Sequence, residues 1–342
     1  MSFSETLWRV LFAALIYPGF LFIISSGILA EGLRRKFAAR GEGRQGPPLL
    51  QPLFDLLNWF QRTILVPGPT LPDPVLEDED EAKREEARAL VLSRNHRARV
   101  ALIYLPLVAI VGLILGTTLL PLPGNLWPFL RSELEARPLG ADLLAVMLLL
   151  EFPVAVTIIM GSLGGSIYGQ LAGSRTAQLA LAYALPYSVG LFGPAIALGS
   201  FDFRAIVAAD SPGMLGVKLI CGLTWLLCMP ARLRLRPLAP SSGEALEGVT
   251  TDLSGPALGL MRLMEWTERV ALPLFATALF VPYAYTNPLI LVGGVALGLG
   301  AIGVVDAFFS HVRLRDALNF YLRYASLAAI AWFVVLAFLV KI

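Results

Sequence analysis

The chain has 342 residues, 56% of them hydrophobic and only 15% charged, with a formal net charge of +2 and a mean hydropathy of +0.70. Soluble chains carry about a quarter charged residues. Here the apolar residues come in runs of about 20, the length that crosses a bilayer, so an ordinary soluble enzyme is excluded. With two cysteines, two histidines and no Cys-x-x-Cys pair, the chain also cannot build a zinc, haem or iron–sulfur site of the usual make-up.

The composition predicts an all-α, polytopic membrane protein forming one integral membrane domain over residues 1–342. Eight spans are predicted, at roughly 7–30, 100–120, 141–163, 177–200, 214–230, 257–283, 287–305 and 320–340. The first is not followed by a small-residue cleavage pattern and is read as retained. Behind it comes RRKFAARGEGRQGPPLLQPLFDLLN, from Arg34 to Asn58. Its cations Arg34, Arg35, Lys36, Arg40 and Arg44 mark the cytoplasmic end of the span. Gly41, Gly43 and Gly46 free the backbone, and Pro47 and Pro48 stiffen the exit. Leu49, Leu50, Leu53, Phe54, Leu56, Leu57 and Phe60 then recur at near-helical spacing around Gln51, Asp55 and Asn58. That pattern predicts an amphipathic helix at the membrane surface. Two readings stay open for the stretch: a positive-inside loop with a lipid-lying helix, or a docking platform for a partner.

The run GRQGPPLLQPLFDLL resembles the signature of a membrane-anchor family shared by respiratory complex I (where it is the H subunit, also called subunit 1) and the energy-converting NiFe hydrogenases. Complex I usually extends the turn to GPNRVGP and places a glutamate before the Arg-Lys pair. Here the turn is compact and Arg34 takes the glutamate's place, as in the hydrogenase branch. The resemblance implies that Arg34, Arg35, Lys36, Arg40, Arg44, Gly46, Pro47, Gln51 and Asp55 help seat a peripheral arm.

From Pro67 to Arg99 lies a charged insert, proline-rich, then acidic, then basic. It predicts a solvated helix held by near-neighbour ion pairs or an extended loop, and a contact with a peripheral subunit is the sharper alternative. It does not match the family pattern. Beyond the second span, Trp127 and Phe129 read as interface anchors.

Glu151 lies mid-way along the third span. A carboxylate at that depth costs about 2.5–3.5 kcal/mol by insertion scales, so it is expected to face inward, neutral or paired. A proton-path residue and a structural hydrogen bond are the two readings. Gly161, Gly164, Gly165 and Gly169 follow and permit close helix approach. LAGSRTAQLALAY, from Leu171 to Tyr183, resembles the family's Gly-x-Arg segment before a Tyr-Glu pair. That resemblance adds Arg175 to the docking residues. Ala184 stands where complex I has the glutamate, and Glu151 is the candidate substitute. Cys221 and Cys228, seven residues apart on one face of the fifth span, read as apolar packing.

EALEGVTTDLSGPALGLMRLMEW, from Glu244 to Trp266, resembles the family's ELVAGF-x-TEYSG loop and sixth helix. Glu244 and Asp252 match its two loop acids, Ser254 and Gly255 its Ser-Gly, and Glu265 its helix glutamate. The Ser-Gly-Pro form with Pro256 again resembles the hydrogenase branch. Upstream, PLAPSSGE lacks one acid of the complex I pattern PFDIPEAE. Physical chemistry points the same way. Glu244 and Asp252 lie in a cytoplasmic loop, and Glu265 and Glu268 lie two to three turns into a span. Buried acids there exchange protons near neutral pH and can form a relay. Helix-face ion pairs with Arg262 and Arg269 are the competing reading.

Lys and Arg collect on one set of loops, which predicts an inner-membrane protein with both termini on the outer side. The resemblance implies a non-catalytic subunit of a hydrogenase-type oxidoreductase, coupling redox chemistry to proton or sodium translocation. It implies no cofactor in this chain, iron–sulfur clusters and a NiFe centre in partners, and peripheral large and small subunits. It further implies antiporter-like membrane subunits and no nucleic acid. A quinone-site subunit of a complex I-type enzyme and a stand-alone secondary transporter are the alternatives, though no inverted repeat is visible in the sequence.

Overall fold

The computed structural model describes residues 3–41, 43–63, 81–125, 142–163, 167–235, 238, 242–243, 246–308 and 312–339. Helices dominate. In chain order they are α1 (Phe3–Leu15), α2 (Phe20–Gly41), α3 (Gln51–Gln61), α4 (Glu81–Thr118), α5 (Leu143–Leu163), α6 (Ile167–Leu198), α7 (Phe203–Ala208) and α8 (Pro212–Arg232). A two-residue hairpin pairs Ser242 with Glu247 and Gly243 with Leu246. It leads to α9 (Gly255–Phe280), α10 (Pro288–Phe308), α11 (Leu314–Asn319), a π turn (Phe320–Ala325) and α12 (Ser326–Leu339).

Among the described residues, seven helical stretches are long and apolar enough to cross a membrane. Helix α9, where another span was predicted, is not one of the seven. Its charged residues Arg262, Glu265, Glu268 and Arg269 lower its hydropathy, yet it is 26 residues long and buried on most faces. It packs against α2, α3, α4, α5, α7, α8 and α10, so a charged helix is the central one. That inversion has a physical reason: a charged side chain in a membrane protein is tolerated where it faces other helices rather than lipid.

The first span differs from its predicted bounds. It breaks at residues 16–19 and its helix then runs on to Gly41. Arg34, Arg35, Lys36 and Arg40 therefore sit on the last turns of α2, not in an open turn. At 1.5 Å per residue α2 alone is about 33 Å long, enough to cross. The chain then doubles back. Gly46 has φ +74° and lies against Lys36 and Ala39, where a Cβ would come within 3.0 Å of Ala39 Cβ. The expected surface helix is α3. Pro52 and Leu56 are buried, and Leu50, Phe54 and Leu57 are exposed, an apolar outer face suited to the headgroup boundary.

Residues 81–99 of the charged insert are the first half of α4, continuous with the second span in one 38-residue helix. Trp127, Phe129, Gly164, Gly165 and Glu244 lie outside the described residues, as do the side chains of Asp252 and of 81–99. Gly161 of α5 meets Gly173 of α6, where a Cβ would lie 2.6 Å from Gly173 Cα. The small residues there bring two backbones together. Gly255, at φ +59°, presses on the chain leaving α3, with Thr63 O 2.8 Å and Arg62 O 2.9 Å from a would-be Cβ. Ser254-Gly255-Pro256 is thus a corner that only glycine fits, with Pro256 opening α9.

Candidate functional site: a buried carboxylate and arginine chain

Glu31 of α2 is 3% exposed. Three arginines surround it. Arg34 and Arg35, one helical turn on, donate to Oε1 at 2.8 and 2.9 Å. Arg269 of α9 donates to Oε2 at 2.5 Å. Arg34 also pairs with Asp306 near the end of α10. Arg35 also reaches Asp55 of α3 at 2.6 Å, which Gln51 orients through a 3.0 Å hydrogen bond. The Arg35 guanidinium lies 5.7 Å from the Trp266 ring centre, a cation–π contact. The surface helix and three spans are thereby tied to one carboxylate.

A second cluster flanks α9 on its next face. Arg232, at the end of α8, is wholly buried. It pairs with Glu268 of α9, meets Glu151 of α5 at 3.3 Å and donates to the Leu150 carbonyl at 2.6 Å. Arg234 holds the other Glu268 oxygen at 2.5 Å and donates to Thr157. Glu268 is 1% exposed and adjacent in sequence to Arg269. The two clusters lie on different faces of α9: Asp306, Arg34, Glu31 and Arg269 in one, Glu268, Arg232 and Glu151 in the other. Including Asp55, Arg35 and Arg234, carboxylates and guanidiniums balance, as burial of charge demands.

Glu151 and Glu268 are thus brought together, and Glu151 is paired as expected. Glu265 is placed apart from them, with Arg262 at 3.3 Å one turn away, the geometry of a helix-face pair. Arg232, wholly buried, and Arg234, half-buried, are partners of Glu268 that the expected site residues did not include. Glu31 was not among them either. The signal for Glu31 was available, since arginines three and four residues on form a helix-face trio. Of the docking residues, Arg40 is exposed on the last turn of α2, Arg44 and Gly46 are placed at the turn after it, and Lys36, Pro47 and Arg175 are half-buried. Arg34, Arg35, Gln51 and Asp55 are internally engaged. Arg175 lies within α6, which begins ten residues before the predicted start of its span.

Beside Glu31 is a cavity of about 740 Å³ between α2, α9 and α10. Leu33, Phe37 and Leu299 form apolar walls, and Glu31, Arg34 and Arg269 are its polar end. The buried Nε of Arg269 has no hydrogen-bond partner among the described residues. Among the described residues no group of three or more His, Cys, Asp or Glu could hold a metal ion.

The family described as NADH dehydrogenase matches residues 91–337, most of the chain. The chain belongs to the NADH dehydrogenase family. One relative, the NADH-quinone oxidoreductase H subunit of Dehalococcoides mccartyi, is 25% identical over 270 residues, covering 77% of this chain and 67% of that one. Another, the H subunit numbered 2 of the NADH-quinone oxidoreductase of Cereibacter sphaeroides, is 30% identical over 247 residues. That match covers 60% of this chain and 76% of the relative. Among solved structures, a chain of the membrane-bound sulfane sulfur reductase, an archaeal respiratory membrane complex, aligns with a TM-score of 0.71 at 20% identity. It covers 98% of this family member and 99% of the solved chain, a likeness of fold.

Proposed function

We propose that this chain is the membrane-anchor subunit of a complex I-like, energy-converting oxidoreductase of the hydrogenase type. It seats a peripheral electron-transfer arm and couples redox change there to proton or sodium movement through the membrane. The observation that carries the reading is the pair of carboxylate–arginine clusters that α9 holds, one around Glu31 and one around Glu268. Charge buried at membrane depth is costly, and where it is held in paired clusters it marks an ion path or a relay. Arginine keeps its proton, so the arginines act as fixed counter-charges and the carboxylates Glu31, Glu268 and Glu151 as the groups that exchange. Glu244, Asp252 and Glu265 are proposed as the entry from the arm.

The compact GRQGPP turn and the Ser254-Gly255-Pro256 corner favour the hydrogenase type, with iron–sulfur clusters and a NiFe centre in peripheral large and small subunits and antiporter-like neighbours in the membrane. The basic helix ends favour an inner-membrane orientation with that side cytoplasmic and both termini outside. The second reading, a quinone-site subunit, is favoured by the cavity beside Glu31 and by the relatives' names. Purifying the native complex and identifying its partners by mass spectrometry tests the proposal. A nickel-bearing large subunit supports it. A large subunit without nickel, with co-purifying quinone, supports the second reading, and a chain with no partner overturns both.

A further inference from the structure

Among the described residues, the two charge clusters leave one buried cation unused. Lys218 lies on α8 with 1% exposure, at the opposite end of the helix from Arg232. Lys218, Trp225 and Arg232 are spaced by seven, which returns an α-helix to nearly the same face, and all three are buried. At 1.5 Å per residue, Trp225 stands about 10 Å along the axis from each. At the outer end, Lys218 Nζ donates to the Val207 carbonyl at 3.0 Å and to Asp210 Oδ1 at 3.4 Å. Asp210 is 18% exposed and lies in the loop between α7 and α8. Midway, the buried Trp225 Nε1 has no acceptor among the described residues. Its ring stacks on Tyr187 at 5.9 Å and 28°, with Phe275 and Phe280 alongside.

The two cations differ in what they can do. A guanidinium holds its proton, whereas a buried ammonium gives one up readily. Anchoring the Val207 carbonyl needs no charge, because a neutral amine still carries N–H donors. An ionisable group inside a span is by default a functional one, and here its carboxylate neighbour reaches toward the outer surface.

We propose that Lys218 and Asp210 form the outward-facing proton-exchange site of this subunit, joined past Trp225 to the cluster of Glu151, Arg232 and Glu268. This rests on the ion-translocation reading above. In the exchange the Nζ–H bond breaks, an O–H bond forms on Asp210, and Asp210 passes the proton to outer water. The neutral amine is refilled by a proton that leaves the Glu151 side and crosses the roughly 20 Å of α8 on water molecules entering past Trp225, each breaking one O–H bond as it forms the next. One proton moves outward per cycle and no electron moves within the chain.

The test uses the native complex in proteoliposomes, with redox turnover and proton movement measured together for Lys218→Arg and Asp210→Asn. Lys218→Arg keeps charge and anchor but cannot release a proton, so protons per electron fall at least about fivefold with turnover retained. Asp210→Asn keeps the bond to Val207 and removes the acceptor, with the same expected loss. Wild-type stoichiometry in either assembled variant overturns the inference. Failure of both variants to assemble also overturns it and assigns the pair to anchoring. If Glu151→Gln abolishes proton movement while both variants retain it, only this inference falls. A wild-type complex that turns over without moving protons overturns the translocation reading as well.

Discussion

Glu268 and Glu265 sit three residues apart on α9 and carry different loads. Glu268 is enclosed between Arg232 and Arg234, whereas Glu265 faces the half-buried Arg262. Removing one partner from a buried charge group costs about 3–5 kcal/mol because its neighbours are left uncompensated. An i, i+3 pair that solvent reaches is worth about 0.3–0.5 kcal/mol. We therefore expect Glu268→Gln to lower the melting temperature of the purified protein markedly and Glu265→Gln to leave it within error. Equal melting of the two variants would contradict the burial argument. Glu265→Gln should still lower coupled translocation if Glu265 is the entry group, and Glu265→Asp should keep part of it. Sequence made Glu151, Glu265 and Glu268 legible because carboxylates inside apolar runs stand out. Arg232 and Arg234 were not legible as buried, because at a helix end the same residues read as ordinary cytoplasmic flank. Only the fold shows that α9 brings a carboxylate to them.

At the scale of elements, the surface helix, the long apolar spans and the close glycine approach between α5 and α6 were readable from spacing alone. The break at residues 16–19 and the run of α2 to Gly41 were not, because apolar periodicity passes through Tyr17-Pro18 unchanged and glycine at 41 and 43 imitates a turn. The consequence concerns docking. Arg34 and Arg35 are held by Glu31, Asp306 and Asp55, so the turn's outer cations are Arg40 and Arg44. Charge near the surface steers and orients partners rather than holding the fold. Arg40→Ala combined with Arg44→Ala is thus expected to leave the protein in the membrane and to strip the peripheral arm during purification. A double variant that purifies with all peripheral subunits and wild-type activity would remove the docking role from this turn.

For the whole molecule, the polytopic all-helical class was legible because hydropathy reports lipid-facing surface directly, and seven of the eight predicted spans recur as long apolar helices among the described residues. The place of α9 at the centre was not, since centrality is a property of packing and its charges argue against a span when read alone. The orientation proposed from the basic helix ends can be measured. In a background lacking Cys221 and Cys228, a single cysteine at Ser242 should resist a membrane-impermeant maleimide applied to intact cells. Labelling there would invert the topology. The most direct measurement of the account is the number of ions moved per electron by the native complex in proteoliposomes carrying Glu151→Gln. Glu151 is 28% exposed and meets Arg232 at 3.3 Å, so an amide keeps its shape and its place while removing its proton exchange. The account predicts retained assembly and redox turnover with ions per electron reduced about tenfold or more, a conservative fraction of what losing a proton-transfer group costs, and partial recovery in Glu151→Asp. A wild-type stoichiometry in Glu151→Gln would contradict it.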